Sequence, residues 1–352
     1  MHTTGYDGLA ALLAAGRTAR LYSGAAWSVG TADGPLDRGT LGTLAWDGPP
    51  VTADTRWDLA SVTKPLVALA VLALLERGAL GLDDPVGDHL PEYAGGEHAG
   101  VTVGRLLTHT SGLPGRQPLY RLHRTRPDLL AAVRALPLRT PPGTAVEYSS
   151  AGFVVLGLVA EAASGLGLAD LVAATVTGPA AMTDTGFVPP AADRERCAAT
   201  EDCPWRGHVV QGSVHDENAE VLGGVAGHAG LFGPHTDLER LGIALLRNGS
   251  GDRGRLLSPR TVAVAGASHT DGLTMRRGLG WQCRDAHGSP AGDLFTADSY
   301  GHTGFTGTSL WIDPTLGRYA VLLTNRVHPS RDTPGFDRLR ARFHTMAAIH
   351  PG

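Results

Sequence analysis

The chain has 352 residues, with 30 Lys and Arg against 34 Asp and Glu, a formal net charge of −4, and 42% apolar residues. Such a composition supplies a folded core, and a slightly acidic chain without a basic block gives no electrostatic reason to bind nucleic acid or an anionic membrane. Lys64 is the sole lysine among those 30 cations and is followed by Pro65, so a phosphate-cradling Gly-x-x-x-x-Gly-Lys-Ser/Thr loop is excluded and any lysine acid/base or Schiff-base chemistry must use Lys64.

Residues 1–20 lack the basic head and apolar stretch of a secretion signal, and Leu9, Leu12 and Leu13 mark a short amphipathic helix. Residues 19–29 and 41–46 read as a pair of strands joined by a Gly/Asp-rich connection. The strongest helix signal runs over residues 61–78, where Leu66, Leu69, Ala70, Leu72 and Leu75 recur at helical spacing and Arg77-Gly78 makes a stop. Its apolar run, residues 66–75, is about half of what a bilayer requires, so a soluble, cytoplasmic protein with no membrane partner is expected. Short helices follow at 103–108 and 127–136, and a second long apolar helix at 149–163 ends at Gly165.

Residues 179–233 are Gly-rich and mostly irregular, and a mixed region starts at Arg240. Residues 309–312 and 319–323 flank a Pro-Thr-Leu-Gly turn and predict a β-hairpin. The last helix carries Phe336, Leu339, Phe343 and Met346 on one stripe. Strands at both ends with helices between them predict an α+β fold: an antiparallel sheet flanked by helices, built from both termini, with an inserted, mostly helical lobe. The whole chain, 1–352, reads as one domain, with residues 1–64 and 240–352 as the α/β lobe and 65–239 as the helical and irregular lobe.

Three cysteines, Cys197, Cys203 and Cys283, are too few for a disulfide scaffold and read as free buried thiols. Neither Cys-x-x-Cys nor His-Glu-x-x-His spacing occurs, so no metal and no cofactor are expected. His109 reads as a residue that holds its loop by hydrogen bonds, and so do His215-Asp216-Glu217-Asn218 and His228 near the cleft. The run 223–233 reads as a closely packed loop beside the active site.

Chemistry points to Ser61-Val62-Thr63-Lys64 at the start of the strongest helix. Residues three apart share a helix face, so the serine hydroxyl and the lysine amine can touch. The helix N-terminus favours a serine alkoxide and disfavours a protonated amine, which lets Lys64 take the serine proton. An arginine could not, because it does not give up its own proton. Tyr148-Ser149-Ser150 opens the second apolar helix, where a phenol could move a proton between serine and leaving group. His302-Thr303-Gly304, followed by Phe305-Thr306-Gly307-Thr308, gives small residues at a strand edge against which a substrate can lie.

In the order Ser-x-x-Lys, Tyr-x-Ser, His-Thr-Gly, these motifs resemble the penicillin-recognising serine hydrolases, most closely their class C β-lactamase-like esterase branch. Trp57-Asp58-Leu59-Ala60, residues 106–113 and residues 223–232 extend the resemblance over nearly the whole chain. It implies Ser61 as nucleophile, Lys64 as its base and Tyr148 as proton shuttle. The N–H groups of Ser61 and Phe305 would form the oxyanion hole, with His302, Thr303 and Gly304 along the substrate strand. Ser150 stands where the lactamases carry Asn, and His302 where they carry a lysine cation, and both departures weaken the case for β-lactam hydrolysis. The expected function is acyl transfer through an acyl-Ser61 intermediate on a small ester or activated carbonyl donor, with esterase-like hydrolysis favoured. Transfer to an amine or alcohol acceptor, as in natural-product biosynthesis, is the alternative, and β-lactamase or D-amino peptidase activity a further one. The intact Ser–Lys–Tyr set argues against a non-catalytic binding module. Oligomeric state is not legible.

Overall fold

The computed structural model describes residues 8–351; the first seven residues of the N-terminal helix reading, and Gly352, lie outside the described residues. The chain begins with helix α1 (Gly8–Thr18) and runs into strands β1 (Gly24–Thr31) and β2 (Gly34–Gly42). A middle section carries the helices α2 (Thr63–Glu76), α3 (Val103–Leu107), α4 (Arg126–Arg134), α5 (Ser150–Ser164) and α6 (His235–Leu246). The C-terminal section adds β3 (Gln282–Cys283), β4 (Tyr300–Thr303), β5 (Ser309–Asp313), β6 (Arg318–Thr324) and helix α7 (Phe336–Ala348). All six strands form one sheet in the order β3-β4-β5-β6-β1-β2, antiparallel throughout. The expected α+β plan, one sheet joined from the two ends of the chain with a helical lobe inserted, is therefore the observed one.

Alternation along the strands separates two apolar layers. Ala25, Trp27, Val29, Trp311, Ala320 and Leu322 pack with Leu9, Leu13, Phe336, Leu339 and Phe343 of the terminal helices. Ala26, Leu310, Ile312, Tyr319, Val321 and Leu323 join the larger core, against α6 and the helical lobe. Within that lobe α2 is buried continuously from Thr63 to Leu74, so it is apolar all round rather than amphipathic. Its end follows the expected stop: Gly78 has φ +68°, and the N–H groups of Gly78 and Ala79 reach back to the carbonyls of Leu75 and Leu74.

Three expectations need correction. The second strand is residues 34–42, not 41–46. It is the sheet edge, and its largely exposed residues carry no apolar alternation to announce it. Beyond Gly42 the chain makes only an isolated bridge from Thr43 to Pro50. Within the irregular stretch 179–233, Leu231–Gly233 pairs on one side with Trp57–Asp58 and on the other with Gly186–Phe187. The mixed region after it opens with α6, which starts at His235. The three cysteines are buried and free; burial pushes the Cys197 thiol up to about 12 and that of Cys283 to about 11. Among the described residues no single helix is long and apolar enough to cross a membrane.

Candidate active site

A buried carboxylate shapes the turn that presents Ser61. Asp58, 2% exposed, accepts the Ala60 N–H at 2.8 Å and the His215 N–H at 2.6 Å. Burial raises the proton affinity of this carboxyl above the usual carboxylate range, and the two N–H bonds oppose that rise. Ala60 adopts φ +47°, a conformation that costs an alanine about 1 kcal/mol or more. The reversal throws Ser61 into a short 3-10 turn (Ala60–Val62) that continues into α2, and the turn is held by the Val62 N–H on the Leu59 carbonyl and the Thr63 N–H on the Ala60 carbonyl.

Lys64, one turn on, is fully buried. Its Nζ donates to Ser61 Oγ at 3.1 Å and to the His228 carbonyl at 3.1 Å, and lies 4.8 Å from the Tyr148 ring centroid. No carboxylate pairs with it among the described residues. His228 is itself held by Asp216, Nε2 to Oδ1 2.9 Å. Burial would raise the Asp216 carboxyl, but His228 and, more weakly, Lys64 hold it well below the usual range. The glycine-rich run 223–233 thus delivers one carbonyl to the amine, in keeping with a packed loop beside the site.

Tyr148 is set by the loop ahead of α5. Ser149 caps the helix, accepting the Gly152 N–H at 3.0 Å and donating to the Pro114 carbonyl at 2.7 Å. His109 Nδ1 accepts the Ser149 N–H at 3.1 Å, and its carbonyl accepts the Glu147 N–H at 2.9 Å. Its ring lies 4.6 Å from that of Tyr148, so His109 holds the loop as expected. Burial, with Arg277 and Lys64 nearby, keeps it neutral.

On the opposite wall β4 ends in His302-Thr303-Gly304. His302 Nδ1 donates to the Thr303 carbonyl at 2.8 Å; its Nε2 is buried without a protein partner. Burial, then Lys64 and Arg277, lower its pKa well below the usual histidine range, so the ring is neutral with Nε2 as an acceptor. The strand is fastened to the serine turn from below. Thr306 Oγ1 donates to the Asp58 carbonyl at 2.8 Å and Thr308 Oγ1 to the Leu59 carbonyl at 2.9 Å. A methyl on Gly304 would strike Thr308 Oγ1 and the Leu59 carbonyl, so this glycine serves the close approach of two backbone segments.

Ser61, Tyr148, Arg277, His302, Thr303, Gly304, Phe305, Arg326, Asp337 and Arg340 line one cavity of about 390 Å³. Of the expected site residues, Lys64 lies behind this wall and Ser150 does not line it; Ser150 is the first residue of α5, with its capping neighbour Ser149 occupied by structure. Sequence reasoning missed the arginines. Arg277 is 5% exposed, forms no ion pair among the described residues, and leaves its Nε unpartnered; its guanidinium lies 5.4 Å from the Tyr148 ring centroid. Arg340 pairs with Asp337 at 2.7 Å. A Glu201, Cys203 and Glu217 cluster lies nearby, but Arg331 pairs with both carboxylates and His215 Nε2 lies 2.9 Å from Glu201.

The family model for Beta-lactamase matches residues 2–343. A relative in Escherichia coli (strain K12), named as a candidate D-alanyl-D-alanine carboxypeptidase, is 30% identical over 308 residues, 79% of this chain and 70% of the relative. Among solved structures, EstCE1, described as a hydrolase with promiscuous acyltransferase activity, superposes with TM-score 0.76 at 23% identity, covering 96% of this chain and 97% of that one. A family VIII carboxylesterase superposes with TM-score 0.77 at 20% identity, covering 99% and 98%.

Proposed function

The chain belongs to the β-lactamase family, and on that premise we propose that it is a serine acyl-transfer enzyme that works through acyl-Ser61 and hydrolyses a small ester or activated carbonyl compound. Family and fold together support a hydrolase or acyltransferase of the penicillin-recognising superfamily. The observation that carries the finer reading is the contact of Lys64 Nζ with Ser61 Oγ, 3.1 Å, with the amine buried and the hydroxyl on the cavity wall.

In the proposed reaction Ser61 Oγ attacks the substrate carbonyl carbon while its proton passes to Lys64 Nζ. The carbonyl π-bond opens to an oxyanion held by the N–H groups of Ser61 and Phe305. Collapse breaks the bond to the leaving alkoxide, which takes a proton by way of Tyr148, and leaves acyl-Ser61. Water attacks in the second half, loses a proton to the same groups, and frees the carboxylic acid and Ser61. An alcohol or amine in place of water would give an ester or amide. The similar solved structure described as a hydrolase with promiscuous acyltransferase activity motivates testing for that second outcome. Product analysis separates them: 4-nitrophenyl acetate offered together with an excess of a primary amine should yield mainly acetate, and mainly amide would make the enzyme a transacylase.

Arg277 bears on the acyl donor. A buried guanidinium with no carboxylate paired to it among the described residues, on the cavity wall, suits a substrate anion, and it supplies from another segment the cation that His302 lacks. A donor with a terminal carboxylate, 4-nitrophenyl hydrogen glutarate, should be preferred to neutral 4-nitrophenyl valerate by about 10- to 100-fold in kcat/KM, the range of a charge-assisted hydrogen bond. Arg277→Gln should erase that preference and leave turnover of the valerate within about threefold. Equal preference in the wild type would remove Arg277 from the account.

A further inference from the structure

We infer that Arg326 is a positioning residue for the oxyanion hole, holding the Phe305 peptide in register with Ser61; the inference rests on the acyl-Ser61 reading above. Phe305 has an unusual setting for a residue expected to donate a catalytic N–H. Phe305 is 37% exposed, whereas Thr306 and Thr308 beyond it are buried, so core packing seats the rest of the loop but not Phe305 itself. Phe305 itself is held by a hydrogen bond and by ring contacts. Arg326 Nε donates to the Phe305 carbonyl at 2.8 Å, and the same guanidinium lies 4.7 Å from the ring centroid. The imidazole of His215 stacks on the ring at 5.7 Å, and the guanidiniums of Arg116 and Arg331 lie at 5.3 and 6.0 Å.

Arg326 is anchored in turn. Its carbonyl accepts the Thr333 hydroxyl at 2.8 Å, and the guanidinium lies 5.9 Å from the Phe336 ring. Gly307 leaves room for its stem: an added Cβ there would sit 2.9 Å from Arg326 Cγ. Arg326 forms no ion pair among the described residues, and Asp337, whose field favours the charged guanidinium, is bonded to Arg340. A bond to the Phe305 carbonyl fixes the peptide that follows Phe305, while Thr306 and Thr308 tie the loop to the Asp58 and Leu59 carbonyls. Together they orient the Phe305 N–H, on the preceding peptide, toward the cavity that Arg326 also lines.

Arg326→Met keeps the aliphatic stem and loses the donor. Three measurements separate positioning of the oxyanion donor from a structural role: kcat/KM for 4-nitrophenyl acetate, the affinity of phenylboronic acid, and the affinity of unreactive N-(4-nitrophenyl)acetamide. The boronic acid reports the tetrahedral state because its boron accepts Ser61 Oγ. A misplaced donor should lower kcat/KM and boronic acid affinity by the same factor, about 10- to 100-fold, somewhat less than outright loss of an oxyanion donor. Binding of the amide should change by less than about twofold. Arg326→Leu, which also lacks any donor, should show the same split, and it serves if the methionine variant fails to fold. Unchanged boronic acid affinity in either variant, or equal losses for boronic acid and amide, would overturn the inference. Failure of the wild type to form a Ser61 adduct would instead overturn the reading on which it rests.

Discussion

Lys64→Arg is expected to leave a folded protein whose acylation rate is down by about 10³- to 10⁴-fold, the upper part of the range for losing a general base. The substitution keeps the positive charge that a merely electrostatic role would need. It removes the ability to receive a proton, since a guanidinium at this position stays protonated and has no lone pair to offer. The surroundings explain why an amine fits: Nζ has two acceptors at 3.1 Å, Ser61 Oγ and the His228 carbonyl, and the Tyr148 and Phe153 rings at 4.8 and 5.8 Å. Arginine is larger, so overpacking should cost about 1–3 kcal/mol of stability. Thermal melting followed by circular dichroism measures that loss separately from stopped-flow acylation. Lys64→Met, similar in length and uncharged, should lose acylation to the same degree. Acylation within about tenfold of wild type in the arginine variant would mean that the amine is not the proton acceptor.

Legibility in the sequence followed the range of the interactions. Ser61 and Lys64 meet because three residues on a helix are one turn, and that contact is local enough to read directly. The cap at Gly78, the 309–323 hairpin and the stripe on α7 are local in the same sense. Strand β2 was missed because it lies at the sheet edge and owes its place to pairing with β1 rather than to a buried face.

At the site, the motifs marked where chemistry belongs, but what holds them together is long-range. Nothing in Trp-Asp-Leu-Ala says that Asp58 will cap Ala60 and His215 together, or that Thr306 and Thr308 will tie β4 to the serine turn from some 250 residues away. Arg277 looks like any other arginine in a chain that is rich in them. Only burial without an ion pair sets it apart, and that is a property of the fold. The same holds for His302: the tripeptide showed a histidine where the lactamase pattern has lysine, while its neutral state and free Nε2 follow from burial and from the Thr303 carbonyl. The resemblance placed Ser150 at the substrate, yet the cavity wall passes it by.

The Ser61 hydroxyl carries the whole account, and Ser61→Ala removes one oxygen from a half-buried position without disturbing the Asp58 cap or the pin from Thr308. The fold should therefore survive with a change in melting temperature of a few degrees at most, about 1 kcal/mol, while catalysis through a covalent intermediate stops. Intact-mass spectrometry after brief mixing with 4-nitrophenyl acetate measures this most directly. Wild-type protein should gain the mass of one acetyl group, mapped to Ser61 by peptide fragmentation, and the alanine variant should gain none. An adduct on another residue, or one that forms equally on Ser61→Ala, would contradict acyl transfer through Ser61.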